Sequence, residues 1–280
     1  MGSHFKPEDM SRQALLSWTL RTLRSHGLKP RRKLSQNFTV NPYLLKTIKK
    51  LVEYADTLEI GCGIGTLTLV LSRVVPRLVS IEIDERLLEA ARENVDAANT
   101  ILVKADATRY SGYPEQVVGN IPYHITSEIL VLIARSNSVR RAVLTVQKDV
   151  AERLTANPGS DNYGRITVLV KALFKVEVAG VYGRASFYPK PEVEHAVLVL
   201  TRIKQFDTDI EALEELTRVM FTQRRRIALK VLAERVGLKG DELYPRIQRL
   251  LAGKRVYEVE VGEFLELARI VGEAGLISRD

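Results

Sequence analysis

The sequence predicts an α/β fold, a parallel sheet flanked by helices and followed by a small helical domain, from three observations. Apolar strand-like runs alternate with helix-like runs from residue 57 to about residue 150, and such alternation implies parallel strands joined by right-handed crossovers. Residues 57–68, TLEIGCGIGTLT, lead from a short apolar strand through a glycine turn into a helix start, where ligands bind in such sheets. From about residue 205 the helices follow one another with no strand between them. The expected organisation is an N-terminal helix in 1–28, a sheet domain in 29–204 and a helical domain in 205–280.

Residues 1–4, M-G-S-H, have the composition of an expression-tag remnant and carry no fold signal. Ser11 is expected to cap a helix whose Leu16, Leu20 and Leu23 recur at helical spacing, ending near Gly27, with Arg21 and Arg24 on its other face. Residues 29–33, K-P-R-R-K, form a basic linker, either a solvated connector or a place to meet phosphates through Arg31 and Arg32. A helix over 42–54, a strand over 57–61, a helix after Gly65, a strand over 78–83, a helix over 85–95 and a strand over 101–104 follow. Then come a strand at 116–120, a helix at 127–134, a strand at 142–146 and a helix from Lys148. Residues 157–163 are loop-rich. Two late strands, within 174–183 and 194–203, flank a proline-fixed loop at 187–191 and fit an antiparallel addition to the sheet.

Composition narrows the class. The 280 residues are 45% hydrophobic, enough for one large or two modest cores, and the net charge of +8 makes polyanions the expected partners. Cys62 is the single cysteine, which excludes an internal disulfide and favours a reducing, cytoplasmic setting. His4, His26, His124 and His195 lack metal-ligand spacing, so no metal site is expected. No run is long and apolar enough for a membrane span, and no apolar signal core opens the chain. A monomer is expected.

The candidate site gathers at strand ends. Gly61, Gly63 and Gly65 let bare backbone approach a ligand. Glu82 ends the second strand twenty-one residues after Gly61, where an acid can accept both hydroxyls of a ribose. The spacing G-x-G-x-G differs from the dinucleotide fingerprint and disfavours a pyrophosphate cradle. Asp106 follows the third strand, placed either to accept from an adenine amine or to cap a helix. The strand at 116–120 then runs directly into Asn120-Ile121-Pro122-Tyr123.

At N-I-P-Y the chain resembles the S-adenosylmethionine-dependent adenine N6-methyltransferases, and more narrowly the small-subunit ribosomal RNA adenine dimethyltransferases. Further segments match in order: 34–38 (L-S-Q-N-F, with Ser35 for the usual glycine), 145–154 (TVQKDVAERL), YGRITVL from Tyr163, FYPKP from Phe187, and 221–226 (FTQRRR). The resemblance implies a Rossmann-like S-adenosylmethionine-dependent methyltransferase sheet. It implies that Gln36, Asn37, Thr39, Gly61, Gly63, Glu82, Asp106 and Asn120 bind the cofactor, and that Asn120, Pro122, Tyr123 and Phe187 hold the target adenine. It also implies dimethylation of two adjacent adenosines near the 3′ end of small-subunit ribosomal RNA, with the small ribosomal subunit as partner. Arg31, Arg32, Arg224, Arg225 and Arg226 are the expected phosphate contacts. Ser35, Thr39, Cys62 and His195 depart from the residues common in the family.

The adenine amine is a poor nucleophile, its lone pair being delocalised into the ring. The Asn120 side-chain oxygen can accept one N6 hydrogen and a backbone carbonyl near Pro122 the other, which favours a pyramidal nitrogen. Pro122 holds Ile121 extended and so presents carbonyls to the site. Tyr123 can stack on a flipped base, with Phe187 facing it. Methyl transfer to a neutral leaving group needs no strong base, so His124 reads as structural. Three other readings stay open: a DNA adenine methyltransferase, although no target-recognition insertion is evident; a large-subunit ribosomal RNA methyltransferase of the antibiotic-resistance type; and a non-enzymatic RNA-binding factor.

Overall fold

A computed structural model describes residues 5–31, 36–236 and 243–276. Helix α1 (Arg12–Ser25) starts where Ser11 accepts a hydrogen bond from the Ala14 N–H at 3.2 Å, and Gly27 follows it at φ +60°. Its buried stripe is Leu15, Trp18, Thr22 and Leu23, whereas Leu16 and Leu20 are only half-buried. The rotation follows from a partner outside the helix: Phe5 packs on Trp18 with ring centroids 4.8 Å apart, and burying the large indole outweighs burying a second leucine.

Strand β1 (Phe38–Thr39) and helix α2 (Pro42–Leu51) come next. The alternating region then runs β2 (Thr57–Ile60), α3 (Thr66–Leu71), β3 (Leu78–Glu82), α4 (Glu85–Asn94), β4 (Thr100–Lys104), β5 (Gln116–Asn120), α5 (Thr126–Arg135), β6 (Arg141–Gln147) and α6 (Lys148–Thr155). Helix α7 (Arg165–Leu173) and strands β7 (Phe174–Tyr182), β8 (Phe187–Tyr188) and β9 (His195–Arg202) complete the sheet region. The seven-stranded sheet has the order β4-β3-β2-β5-β6-β9-β7. Pairs β2/β3, β3/β4, β2/β5 and β5/β6 are parallel, and β9 runs antiparallel to β6. Strand order reverses between β2 and β5, so their carboxyl ends flank a topological switch point, the crevice where such sheets take ligands.

All four residues of β2 are buried, as a central parallel strand covered on both faces requires. The core around it includes Leu15, Leu44, Leu45, Ile48, Ile64, Val70, Leu71, Leu78, Val118, Val143 and Val197. A two-stranded ribbon lies apart from the sheet, with β1 antiparallel to β8, Phe38 opposite Tyr188 and Thr39 opposite Phe187. Sequence patterning does not reveal this ribbon, because two residues are too few for a period.

The described residues up to Ala151, with Glu177–Thr201, form one compact unit; Glu152–Val176, with the residues from Arg202 onward, form a second. Residues 152–176, which the sequence alone assigns to the 29–204 domain, are held in the second unit by specific bonds. The Tyr163 hydroxyl donates to the Val259 carbonyl at 2.9 Å, and the Gly159 N–H to Tyr257 at 2.7 Å. Here α8 (Thr208–Met220) packs on α11 (Val261–Glu273), with α9 (Ala228–Val236) and α10 (Leu243–Leu251) beside them. Leu213, Met220, Phe264 and Leu267 are fully buried, and Phe221 stacks on Phe264 at 5.7 Å. Among the described residues no helix is long and apolar enough to cross a membrane.

Gly119 marks the tightest approach in the sheet, since a Cβ there would lie 2.6 Å from the Ile60 carbonyl oxygen. Gly119→Ala should therefore cost about 1–3 kcal/mol of stability, seen as a lower denaturant midpoint; an unchanged midpoint would show that β2 and β5 have slack.

Candidate active site

A cavity of about 340 Å³ opens at the carboxyl ends of β2, β3 and β5. Gln36, Asn37, Thr39, Gly61, Gly63, Glu82, Asp106, Asn120 and Pro122 all line it, together with Thr66, Leu67, Ala107, Thr108, His124, Ile125 and Glu128. Tyr123 and Phe187 do not line it. One chain of local causes places each wall.

The glycine turn follows β2 with φ of +78° at Gly61, +56° at Gly63 and +87° at Gly65, a region that side chains other than glycine rarely adopt. Bare backbone at Gly63 also leaves room for Phe38, whose ring a Cβ would meet at 3.2 Å. The turn is tied to β3 through Glu82, whose Oε2 accepts from the Gly63 N–H and whose Oε1 accepts from Ile83 and Asp84, each at 3.0 Å. Three backbone donors offset much of the cost of a buried charge. Burial nonetheless raises the Glu82 pKa, opposed by those hydrogen bonds. At least one acceptor position of the carboxylate stays open to a ligand hydroxyl.

Asp84 caps α4 through the Arg86 N–H and draws in the segment before β1. Gln36 Nε2 donates to Asp84 Oδ2 at 3.2 Å, and the Arg31 guanidinium lies 3.6 Å from the same oxygen. Asp106 accepts from the Thr108 N–H at 2.9 Å and from its hydroxyl at 2.7 Å, the Thr108 bonds that hold its pKa below the usual carboxylate range. It caps a turn rather than a helix. An Asp followed two residues on by Thr is the pattern of an Asx turn, the signal that distinguishes this cap from the helix cap expected as one alternative.

Asn120 ends β5. Its amide nitrogen donates to the Asn37 carbonyl at 2.8 Å, which fixes the amide orientation and leaves Oδ1, an acceptor, as the atom turned away from that carbonyl. The Asn37 side chain donates to the Tyr123 hydroxyl at 2.9 Å, and that hydroxyl lies 2.9 Å from His195 Nε2. Phe187 is 3% exposed, its ring 4.3 Å from His195. Burial pushes the Tyr123 phenol up to about 12, so it stays protonated. Burial likewise raises the Cys62 thiol well above its ordinary value, which suits a core side chain and not a nucleophile.

Of the arginines expected at phosphates, Arg32 lies outside the described residues. The Arg224 guanidinium donates to the Ser160 and Tyr163 carbonyls at 3.1 and 3.2 Å and lies over the Tyr257 ring, contacts that brace the second unit. Arg226 is paired with Glu234 at 2.9 Å. Arg225 remains the most open of the three, its side chain 78% exposed and 3.9 Å from Asp161. Among the described residues no cluster of His, Cys, Asp and Glu is placed to hold a metal.

Behind the turn, Glu59 on β2 is fully buried. Its Oε2 accepts from the Thr68 and Ser80 hydroxyls, both at 2.6 Å, while Oε1 has no partner among the described residues. Burial lifts its pKa to about 7, against the lowering by Ser80 and Thr68 and with a small further rise from Glu82. A raised folded pKa means the folded state holds the proton more tightly than the unfolded chain. This contribution to stability is full below about pH 4.5 and is lost as pH rises to about 7. Glu59→Gln should flatten the stability profile between about pH 4.5 and 7, measured by denaturant unfolding. A wild-type slope retained in the variant would place the titrating group elsewhere. The Glu82 contacts give a second expectation. Glu82→Gln sets an amide N–H₂ against backbone donors and should weaken nucleoside-cofactor binding by about 1–3 kcal/mol in calorimetry; unchanged affinity would rule out a direct role.

Residues 27–273 match the family model described as ribosomal RNA adenine dimethylase. The chain is 33% identical to the probable ribosomal RNA small subunit methyltransferase A of Thermococcus sibiricus, covering 90% of this chain and 96% of the relative. It is 33% identical to the ribosomal RNA small subunit methyltransferase A of Lysinibacillus sphaericus, over 74% and 78% of the two chains. Among solved structures, a dimethyladenosine transferase from Plasmodium falciparum superposes with a TM-score of 0.74 at 26% identity, covering 85% of this chain and 98% of that one. The 23S rRNA methyltransferase ErmE gives 0.61 at 25% identity, over 83% and 98%. The chain belongs to the ribosomal RNA adenine dimethylase family.

Proposed function

We propose that this protein transfers methyl groups from S-adenosylmethionine to N6 of two adjacent adenosines near the 3′ end of small-subunit ribosomal RNA, during ribosome assembly in the cytoplasm and as a monomer. The observation that carries the reading is the Asn120 amide, pinned by the Asn37 carbonyl at the mouth of a cavity floored by the glycine turn and Glu82. The cavity fits the cofactor on its own chemistry. Its volume is within the range of small-ligand sites, its glycines expose backbone, and the buried Thr66 hydroxyl on its wall has no hydrogen-bond partner among the described residues.

When bound, S-adenosylmethionine would supply an electrophilic sulfonium methyl whose leaving group is a neutral thioether. Gln36, Asn37, Thr39, Gly61, Gly63, Glu82 and Asp106 would hold it, Glu82 at the ribose and Asp106 near the adenine. Asn120 Oδ1 accepts one hydrogen of the target amine, and a carbonyl beside Pro122 the other. Together they turn the N6 lone pair out of the ring, and the departing proton goes to water. Tyr123 and Phe187 flank the flipped base. Arg31, Arg32 and Arg225 meet phosphates. The small-subunit substrate is supported by the names of relatives matched over about nine-tenths of the chain. A large-subunit target is less supported, resting on the structural likeness to ErmE alone.

Tritium transfer from S-adenosylmethionine into immature small subunits, naked ribosomal RNA and DNA, with the modified base mapped, tests the reading. N6,N6-dimethyladenosine in small-subunit RNA is the expected product, and methylation confined to large-subunit RNA or DNA would overturn it. Asn120→Ala should lower kcat by about a hundredfold while cofactor affinity stays within about threefold. A change confined to KM would contradict the orienting role.

A further inference from the structure

His195 is the buried polar group nearest the site that the proposed transfer leaves without a task. It opens β9, opposite Gln147 of β6, and is fully buried. Its ring packs on two aromatic side chains of the site, Phe187 at 4.3 Å and Tyr123 at 5.4 Å between centroids. Its Nε2 lies 2.9 Å from the Tyr123 hydroxyl, and the backbone at Val193 is the ring's other polar neighbour. A packing residue alone would not need the nitrogen that meets Tyr123.

The hydrogen bonds have a direction. A phenol has one hydrogen, and the Tyr123 oxygen already accepts from Asn37 Nδ2. A phenolic hydrogen aimed at Nε2 makes that nitrogen the acceptor and places the imidazole hydrogen on Nδ1, consistent with the backbone bond at Val193 that favours a ring N–H. Burial, only partly offset by the backbone at Val193, lowers the ring to about pKa 4, which favours the neutral imidazole near neutral pH. Asn37 joins the two halves of the network. Its side chain is fixed by Tyr123, and its carbonyl receives the Asn120 amide.

Resting on the methyltransferase reading, we propose that His195 is a positioning residue: a neutral acceptor behind the site that locks the Tyr123 hydroxyl and, through Asn37, holds the Asn120 amide in its orienting pose. It touches neither substrate nor cofactor. Its loss should leave cofactor binding intact and slow the transfer itself, because Asn120 and Tyr123 then sample poses that do not aim the amine.

Two arms test the assignment on the full chain. In wild-type protein carrying 15N-histidine, long-range proton–nitrogen correlation reads the tautomer directly. The expected His195 ring is neutral, protonated on Nδ1 and bare on Nε2, from about pH 5.5 to about pH 8. An Nε2-protonated or cationic ring overturns the proposal, whatever the variants do. In single-turnover kinetics, His195→Met fills the space without an acceptor and should lower the rate about tenfold, with cofactor affinity within about twofold. His195→Gln, which can present an amide oxygen where Nε2 stood, should recover to within about threefold of wild type. In a Tyr123→Phe background the Met substitution should add no further loss, because the hydroxyl it serves is gone; fully additive losses would assign His195 to packing and overturn the proposal. A wild-type chain that methylates no RNA would refute the methyltransferase reading instead, and the tautomer would still decide the hydrogen-bond direction.

Discussion

The hydrogen bond from the Asn120 amide to the Asn37 carbonyl is the constraint on which the site turns. It joins the carboxyl end of a central strand to a segment that the β1/β8 ribbon carries in from outside the sheet. An asparagine side chain offers a donor and an acceptor that are nearly equal in shape, and only a fixed partner decides which faces a ligand. The carbonyl makes that choice. An amide held this way presents its oxygen without reorganising during the reaction, which is what positioning demands when the leaving group is neutral and no strong base acts.

The end of the sheet concentrates buried acids, and each is balanced differently. Glu82 collects three backbone N–H groups, which oppose the upward pull of burial on its pKa, and in doing so shapes the glycine turn that faces the cavity. Glu59, one strand away, has two hydroxyl donors on one oxygen and none among the described residues on the other, an arrangement suited to a carboxylic acid that keeps its proton. Two negative charges so close in an apolar setting would repel, and the protonation of one relieves the other. Asp84, in contrast, stays charged by pairing with Arg86 and uses its remaining capacity to hold Gln36 and Arg31.

Much of this was legible in the sequence because it is local. The glycines, Glu82, Asp106 and Asn120 sit at strand ends that patterning locates within a residue or two, and a parallel sheet brings those ends together without further instruction. What was not legible depends on partners far along the chain. The buried face of α1 is set by Phe5 as well as by its own period. Residues 38–39 and 187–188 pair across nearly the whole sheet domain. Arg224 looks like one of three equivalent cations, yet two carbonyls more than sixty residues away claim it. His195 reads as a lone polar residue at the start of a strand, and only the register of β9 buries it beneath Tyr123.

A crystal structure of the protein with a non-reactive cofactor analogue and an adenosine-containing RNA tests the central claim most directly. The account requires the Asn120 nitrogen to remain on the Asn37 carbonyl while Oδ1 lies within hydrogen-bond distance of the adenosine N6. An amide flipped so that its nitrogen faces the base, or an N6 group held entirely by other residues, would contradict it.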